Sequence, residues 1–260
     1  MHAADLRHAR DYGGPRRGVA AGQLFKEAGA RAVIFRRKGK NDEAESTGGF
    51  FGDDEAADTE AAETEAGTPV GRSAGPFDST EVDASTLEGE DRIDLGALVI
   101  TGMPGMELRL QVDEASGQVQ AILLVLEDSA LELRAFAAPK TSGIWSEVRQ
   151  EIAGEATRMG GTASETEGPF GTELVLVVPV EDPEGQIFSQ TSRVIGVDGP
   201  RWLLRATVLG RAAVEPDAAP PMEQALRDVV VVRGTEPMAP RESLALQLPA
   251  GAQAATEEEA

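Results

Sequence analysis

The clearest hydrophobic pattern is an alternation of apolar and polar positions that begins at residue 106. Its apolar members are Met106, Leu108, Leu110 and Val112. A period of two is typical of a strand with one face on a core, so these side chains are predicted to face the interior. The run over 119–126 is more continuously apolar, which favours a strand covered on both faces. Together with alternation over 131–136 and a short apolar run over 93–100, the pattern predicts a strand meander.

The period changes to helical spacing after Pro139. The apolar positions of this segment are Ile144, Trp145, Val148, Ile152 and Ala156. Charged residues lie between them, so the segment predicts a helix with one buried face. Ser142 is the predicted cap at its start, and Gly160-Gly161 is the predicted end.

A second set of strands and a second helix follow. Residues 172–180 predict a buried strand, and residues 187–197 and 201–209 predict a hairpin whose two-residue turn is Asp198-Gly199. Pro221 opens the second predicted helix. A last short strand is predicted from the alternation of Leu244, Leu246 and Leu248. The predicted fold is α+β: a mainly antiparallel sheet, in the order strand meander, helix, three strands, helix, with the helices packed on one face.

Composition divides the chain into four segments. Residues 1–40 are a basic head predicted to be disordered, 41–91 an acidic disordered linker, 92–248 the folded α+β domain and 249–260 a disordered acidic tail. The linker has too few bulky apolar residues to offset the entropy of ordering a chain. Two interpretations of the head stay open. Either it is a basic arm that touches RNA or anionic lipid, or the natural protein begins later, near Val33.

The net charge of −21 is unevenly distributed along the chain. In chain order the four segments carry +7, −15, −10 and −3. A folded domain this acidic repels phosphate backbones, so we expect it not to bind nucleic acid. No apolar stretch approaches the roughly 18 residues of a membrane-spanning helix, and the first residues lack the apolar centre of a secretion signal. The sequence therefore predicts a cytoplasmic protein with no membrane span.

The side chains that most often carry catalysis are missing from the predicted domain. The chain has no cysteine, both histidines (His2 and His8) and the single tyrosine Tyr12 lie in the head, and Lys140 is the domain's one lysine. A Ser-His-Asp triad and a zinc site built on His or Cys are therefore excluded from the domain. Phosphate-binding glycine motifs are also absent. We predict no catalytic residue, no metal and no cofactor.

One concentrated motif is the predicted hairpin, Gly196-Val197-Asp198-Gly199-Pro200-Arg201-Trp202. A turn at Asp198-Gly199 places Arg201, Leu203 and Arg205 on one face, with Ser192 opposite Arg205. Two arginines on one face can bind a carboxylate or a phosphate. The alternative is structural: Trp202 lies in the core and the arginines offset an acidic surface. The candidate binding residues are Ser192, Arg201, Leu203 and Arg205.

Several separate motifs resemble an uncharacterised actinobacterial family that is known only as a domain of unknown function. They are Pro76-Phe77-Asp78, Ala135-Phe136-Ala137-Ala138-Pro139, Gly143-Ile144-Trp145, Gly168-Pro169-Phe170-Gly171-Thr172-Glu173, the hairpin motif over 196–202, and Pro237-Met238-Ala239-Pro240-Arg241. The likeness runs from about Pro76 to Pro249. It implies no activity, because the family has none established, so no catalytic role is carried over.

Two functional hypotheses follow from this sequence. The first is a non-enzymatic binding or adaptor protein that meets an unknown protein partner through its α+β domain, since catalytic side chains are scarce. The alternative is a sensor or enzyme for a small anionic ligand that uses carboxylates and arginines. A purely structural role is a third possibility.

Overall fold

The computed structural model describes residues 30–35, 74–89, 91–113, 116–182 and 185–249, with the backbone alone for 30–35. The strands are β1 Ala30–Phe35, β2 Phe77–Asp78, β3 Arg92–Asp94, β4 Leu98–Thr101, β5 Glu107–Asp113, β6 Val119–Leu126, β7 Ser129–Ala137, β8 Thr162–Gly168, β9 Gly171–Glu181, β10 Ile187–Gly199, β11 Trp202–Gly210 and β12 Val230–Val231. The helices are α1 Ala84–Leu87, α2 Trp145–Arg158, α3 Arg211–Val214 and α4 Pro220–Arg227, with a 3-10 turn over Pro216–Ala218.

Eight strands form one antiparallel sheet in the order β1-β5-β6-β7-β11-β10-β9-β8. It consists of two meanders, β5-β6-β7 and β8-β9-β10-β11, which join where β7 pairs with β11, and of β1, which pairs with β5 at one edge. A second sheet of four short strands has the order β2-β12-β4-β3. The α+β class and the mainly antiparallel sheet predicted from the sequence are confirmed.

The main core lies on one face of the large sheet. Alternate residues of β11, including the fully buried Trp202, pack there with the small sheet and with Met222 and Leu226 of α4. Met106, Leu108, Leu110 and Val112 all contribute to this core, as their alternation predicts.

The two longer helices do not share a face of the large sheet. Leu203 of β11, which points away from the main core, packs with Ile144, Trp145 and Ala156 at α2. Because neighbouring residues of a strand point to opposite faces, α2 lies on the face opposite α4. The sequence prediction placed both helices on one face of the sheet. A helical pattern shows that one side of a helix is buried, but it does not show which face of the sheet that helix packs against.

The two ends of helix α2 are capped by different groups. At its end Gly160 has a φ of +79° and Gly161 N–H donates to Ala156 O, a Schellman termination that confirms the predicted stop. At its start the predicted cap Ser142 is wrong. The carboxylate of Asp198 accepts from Ile144 N–H at 2.8 Å and from Trp145 N–H at 3.2 Å. The cap therefore comes from β10, 54 residues along the chain.

The β10–β11 hairpin has a different turn from the predicted one. Gly199 pairs with Trp202, so the two turn residues are Pro200-Arg201. The predicted register, with Ser192 opposite Arg205, is wrong because Gly196 faces Arg205. Asp198, the expected turn residue, belongs to β10.

Other elements differ from the prediction in extent. The apolar run over 93–100 is divided between β3 and β4, with a positive φ of +80° at Gly96 between them. The polar strand β8 was not predicted. Phe77–Asp78 and Ala84–Leu87, which the sequence assigned to the linker, form β2 and α1.

The flanking segments are described only in part. In the head, the backbone of β1 pairs with β5, Ala30 opposite Asp113. The other residues of the 1–40 head, the linker as far as residue 73 and the tail after Pro249 lie outside the described residues. None of the helices in the described part of the chain has the length and apolar character that a membrane span requires.

Candidate anion-binding cleft

The candidate site starts from the turn of the β10–β11 hairpin. Pro200 occupies the first turn position and Arg201 the second, with a φ of +64°. Proline followed by a residue with positive φ is the type II arrangement, in which glycine is strongly favoured at the second position. A side chain there costs on the order of 1 kcal/mol. Arginine thus occupies a position that suits glycine, which makes it a candidate for function.

The other polar and aromatic members of this motif have structural roles. The indole of Trp145 fills the space that a Cβ on Gly196 would need. Asp198 caps α2. Trp202 is fully buried and its Nε1 donates to Asp78 Oδ2 at 2.7 Å. The Arg201 guanidinium has no comparable structural role.

Arg201 borders a cleft that lies where β7 ends and β11 begins. The cleft has a volume of about 360 Å³, and its lining residues are Ala138, Pro139, Lys140, Arg201, Arg233, Thr235, Pro237, Met238 and Pro240. Three of these side chains are cationic and none is acidic. This is unusual in a domain of net charge −10.

The loop after β12 forms one wall of the cleft. It is fastened to the end of β7, because Ala137 N–H donates to Glu242 O at 2.8 Å and Arg241 N–H donates to Ala137 O at 2.7 Å. Arg241 also binds Glu147 and Glu151 of α2 through its guanidinium. The wall is therefore tied both to the sheet and to α2.

Main-chain oxygens position the two arginines of the cleft. Arg233 Nε donates to Arg201 O at 3.1 Å and its Nη1 donates to Glu236 O at 3.2 Å. Arg201 Nη2 also reaches Glu236 O, at 3.4 Å. These hydrogen bonds orient the guanidinium groups without neutralising their charge.

Burial and repulsion by Arg201 both disfavour the charged form of Arg233. Only 8% of this residue is exposed. Burial lowers the pKa of Arg233, the neighbouring Arg201 lowers it further, and Glu242 partly opposes both. An anion entering the cleft would relieve this repulsion, so the arrangement is suited to holding a carboxylate or a phosphate.

The four residues predicted from the hairpin do not form one site. Arg201 lies in the turn at the cleft, whereas Ser192, Leu203 and Arg205 lie on the α2 side of the sheet. Leu203 is only 1% exposed and belongs to the core beneath α2. Ser192 is buried as well. Of the four predicted residues, Arg201 alone lines the cleft.

Two cleft residues were missed as site residues. Lys140 was noticed as the domain's one lysine, but nothing in the sequence joined it to Arg201. Arg233 follows the apolar run 229–232 directly, and a buried arginine at such a position is a weak signal for function. Within the described ranges, no group of three or more metal-ligating side chains lies close enough together to hold a metal ion.

A family model described as a protein of unknown function, DUF3710, matches residues 75–255. The chain belongs to the DUF3710 family. Three of the motifs that carry the resemblance meet at the cleft: the segment ending at Pro139, the hairpin motif with Arg201, and the segment starting at Pro237. No curated protein and no solved structure matches the chain.

Proposed function

We propose that this DUF3710 domain is a non-enzymatic binding domain, whose cleft receives an acidic side chain or chain terminus of a partner protein. The observation that carries the proposal is the convergence of Lys140, Arg201 and Arg233 on a cleft lined by no acidic side chain. Arg201 supports it further, since it occupies a left-handed turn position that glycine would fill at lower cost.

The chemistry of the cleft suits a carboxylate. Guanidinium groups bind carboxylates through pairs of parallel hydrogen bonds, and Lys140 adds a mobile cation at the exposed rim. Pro139, Pro237 and Met238 supply apolar surface against which the stem of an acidic side chain can pack. Recognition of this kind requires no proton transfer.

The first test is a titration of the ¹⁵N-labelled full chain with a hexaglutamate peptide. The NMR signals of the backbone amides report the binding. We expect shifts centred on the cleft in the wild type, and an affinity lowered about tenfold or more in the double variant Lys140→Ala, Arg201→Ala. Arg158→Ala with Arg211→Ala removes the same charge from exposed positions and is the control. Equal binding by both double variants would reject the cleft.

A glycine variant separates binding from folding. Arg201→Gly relieves the left-handed strain, so the free energy of unfolding should stay the same or rise by up to about 1 kcal/mol. Binding of the peptide should fall nonetheless, because the guanidinium is lost. Urea unfolding and the same titration measure the two effects. A large loss of stability would show that the Arg201 side chain supports the fold instead.

A small anionic ligand is the second candidate, because a volume of about 360 Å³ lies within the range of small-molecule sites. Citrate and inorganic phosphate, each at matched ionic strength, test this function. Tighter binding of either anion than of the peptide, with the same dependence on Arg201, would favour a small-ligand sensor over a protein-binding domain.

A further inference from the structure

We propose a second binding site, for the phosphate or carboxylate group of a small molecule, between Arg134 of β7 and Arg205 of β11. The two residues are direct partners across neighbouring strands, so their side chains leave the same face of the sheet side by side. This is the face that carries α2. The site shares no residue with the cleft and does not depend on the function proposed for it.

The two guanidinium groups differ in how they are held. Arg134 is fixed, because its Nε donates to Glu132 Oε1 at 2.8 Å and its Nη2 donates to Gln111 Oε1 at 3.1 Å. Arg205 Nη2 lies 3.9 Å from the same Glu132 oxygen, which is too far for a hydrogen bond. Arg205 instead stacks near the ring of Phe136, with 5.5 Å between its Cζ and the ring centroid.

The charges of this cluster are unbalanced. Two guanidinium groups share the one carboxylate of Glu132, and like charges directly opposite each other on a sheet are destabilising. Burial lowers the pKa of Arg205, Arg134 lowers it further, and Glu132 opposes them. An oxyanion between the two arginines would supply the missing negative charge and accept from the donors of Arg205.

The surroundings limit what can bind. Arg205 and Arg134 keep 25% and 30% of their side chains exposed, so a ligand can reach both. On its other side Arg205 faces Gly196, and the indole of Trp145 lies over that glycine. Phe136 and Trp145 are thus aromatic neighbours of the site. An apolar or ring group attached to the oxyanion can pack against these neighbours, so inorganic phosphate tests the contact of the oxyanion with the two arginines alone.

The experiment titrates the full chain with inorganic phosphate at constant ionic strength, with chloride as the reference anion. The Nε–Hε signals of Arg134 and Arg205 report binding at this site, and the melting temperature reports the stabilisation that binding to the native state produces. We expect both signals to shift and the melting temperature to rise with phosphate. A parallel titration with malonate distinguishes a carboxylate from a phosphate as the preferred group.

The decisive variant is Arg205→Gln, which we expect to weaken phosphate binding at this site about tenfold or more. Without phosphate it should be no less stable than the wild type, because it removes a repulsion. Arg205→Lys keeps the charge but loses the forked donors of the guanidinium, so it should bind phosphate several-fold more weakly than the wild type. It replaces Arg205→Gln in this test if the glutamine variant does not fold. Arg158→Gln, at an exposed position of α2, is the matched control.

The cleft variant Lys140→Ala, Arg201→Ala separates the two proposals, since it should keep the response of Arg134 and Arg205 to phosphate. An unchanged response in Arg205→Gln and Arg205→Lys would overturn the second site. Absence of any arginine shift in the wild type at about 50 mM phosphate would overturn it as well.

Discussion

At the scale of single residues, the hairpin motif combines several structural roles with one functional candidate. Gly196 makes room for Trp145, Asp198 caps α2 and Trp202 binds Asp78, whereas Arg201 extends into a cationic cleft. Sequence alone marked this motif as important but did not separate these roles. These roles depend on contacts between residues that are distant in the chain: 54 positions separate Asp198 from Ile144, and 124 separate Trp202 from Asp78.

Asp198 and Ser142 offer a direct test of which residue caps α2. Asp198→Ala removes the acceptor of the first helical N–H groups and should lower the free energy of unfolding by about 1–2 kcal/mol. Ser142→Ala should change it by less than about 0.5 kcal/mol, since an exposed substitution away from such contacts has little effect. Urea unfolding measures both variants.

A larger loss in Ser142→Ala than in Asp198→Ala would restore the cap predicted from the sequence. That prediction relied on local spacing, which favours a serine just before a helix. It did not include the possibility that a carboxylate from a distant strand accepts from the first N–H groups of α2. Gly143 fits this arrangement, because a Cβ there would clash with the Asp198 carboxylate.

At the scale of elements, strands with clear alternation were predictable and strands with other patterns were not. Strand β8 reads Thr-Ala-Ser-Glu-Thr-Glu-Gly, is mostly exposed and lies at the edge of the sheet. It buries too little apolar surface to leave a hydrophobic period. The hairpin register failed for a different reason: Asp198-Gly199 is a favourable turn pair, but the cap on α2 and the close contact of Gly199 with Trp202 keep both residues in the strand.

An ion cluster connects α4 to the large sheet. Glu173 of β9 is 1% exposed and receives two hydrogen bonds from Arg193 of β10, at 2.9 and 3.2 Å. Arg193 also donates to Glu223 of α4 at 3.1 Å. The second oxygen of Glu173 makes no hydrogen bond. Burial therefore outweighs the attraction of Arg193, and the pKa of Glu173 is raised.

The raised pKa predicts how stability depends on pH. The native state holds the proton of Glu173 more tightly than the unfolded chain does, so its contribution to stability is fully present at low pH. This contribution is lost as pH rises from about 4.3 through the native pKa, by about 1.4 kcal/mol for each pH unit between the two values. The wild type should thus lose stability relative to Glu173→Gln as pH rises. Urea unfolding at several pH values between about 4 and 8 measures the difference.

The neighbouring variant Thr166→Val is the control for this measurement. Thr166 pairs with Glu173 across β8 and β9 and carries no titrating group. Its stability difference from the wild type should not follow pH. A difference between wild type and Glu173→Gln that stays constant across the same range would contradict a raised pKa in Glu173.

At the scale of the whole molecule, the class of fold was predictable from the sequence, but the residue at which the folded part of the chain begins was not. Low hydrophobicity and dense acid made residues 41–91 appear to be one linker. Yet Phe77–Asp78 add a parallel strand to β12, and Asp78 is 4% exposed. A two-residue strand carries too little pattern to be recognised in a polar context. The cleft was predictable only through Arg201, because Lys140 and Arg233 reach it from separate segments.

Two fragments test where the folded unit begins. A fragment over 74–249 keeps β2, whereas a fragment over 92–249 loses the pairing of Phe77 with Val230 and the acceptor of the Trp202 indole. Loss of a buried hydrogen-bond acceptor costs about 1–3 kcal/mol, and loss of the strand adds to it. The shorter fragment should therefore unfold at a clearly lower urea concentration. Both fragments lack β1, so the comparison isolates residues 74–91.

Asp78→Asn in the full chain alters the hydrogen-bond acceptors of Asp78 and leaves the rest of this segment in place. The amide keeps one oxygen, which can accept from the Trp202 indole, but its nitrogen then replaces the acceptor of Thr80 N–H and of the Thr80 hydroxyl. This variant should therefore lose some stability, but less than the shorter fragment does relative to the longer one. Equal unfolding of the two fragments would place the start of the folded unit at residue 92 and make the Asp78–Trp202 contact dispensable. Unequal unfolding would place it before β2, in keeping with the family match that begins at residue 75.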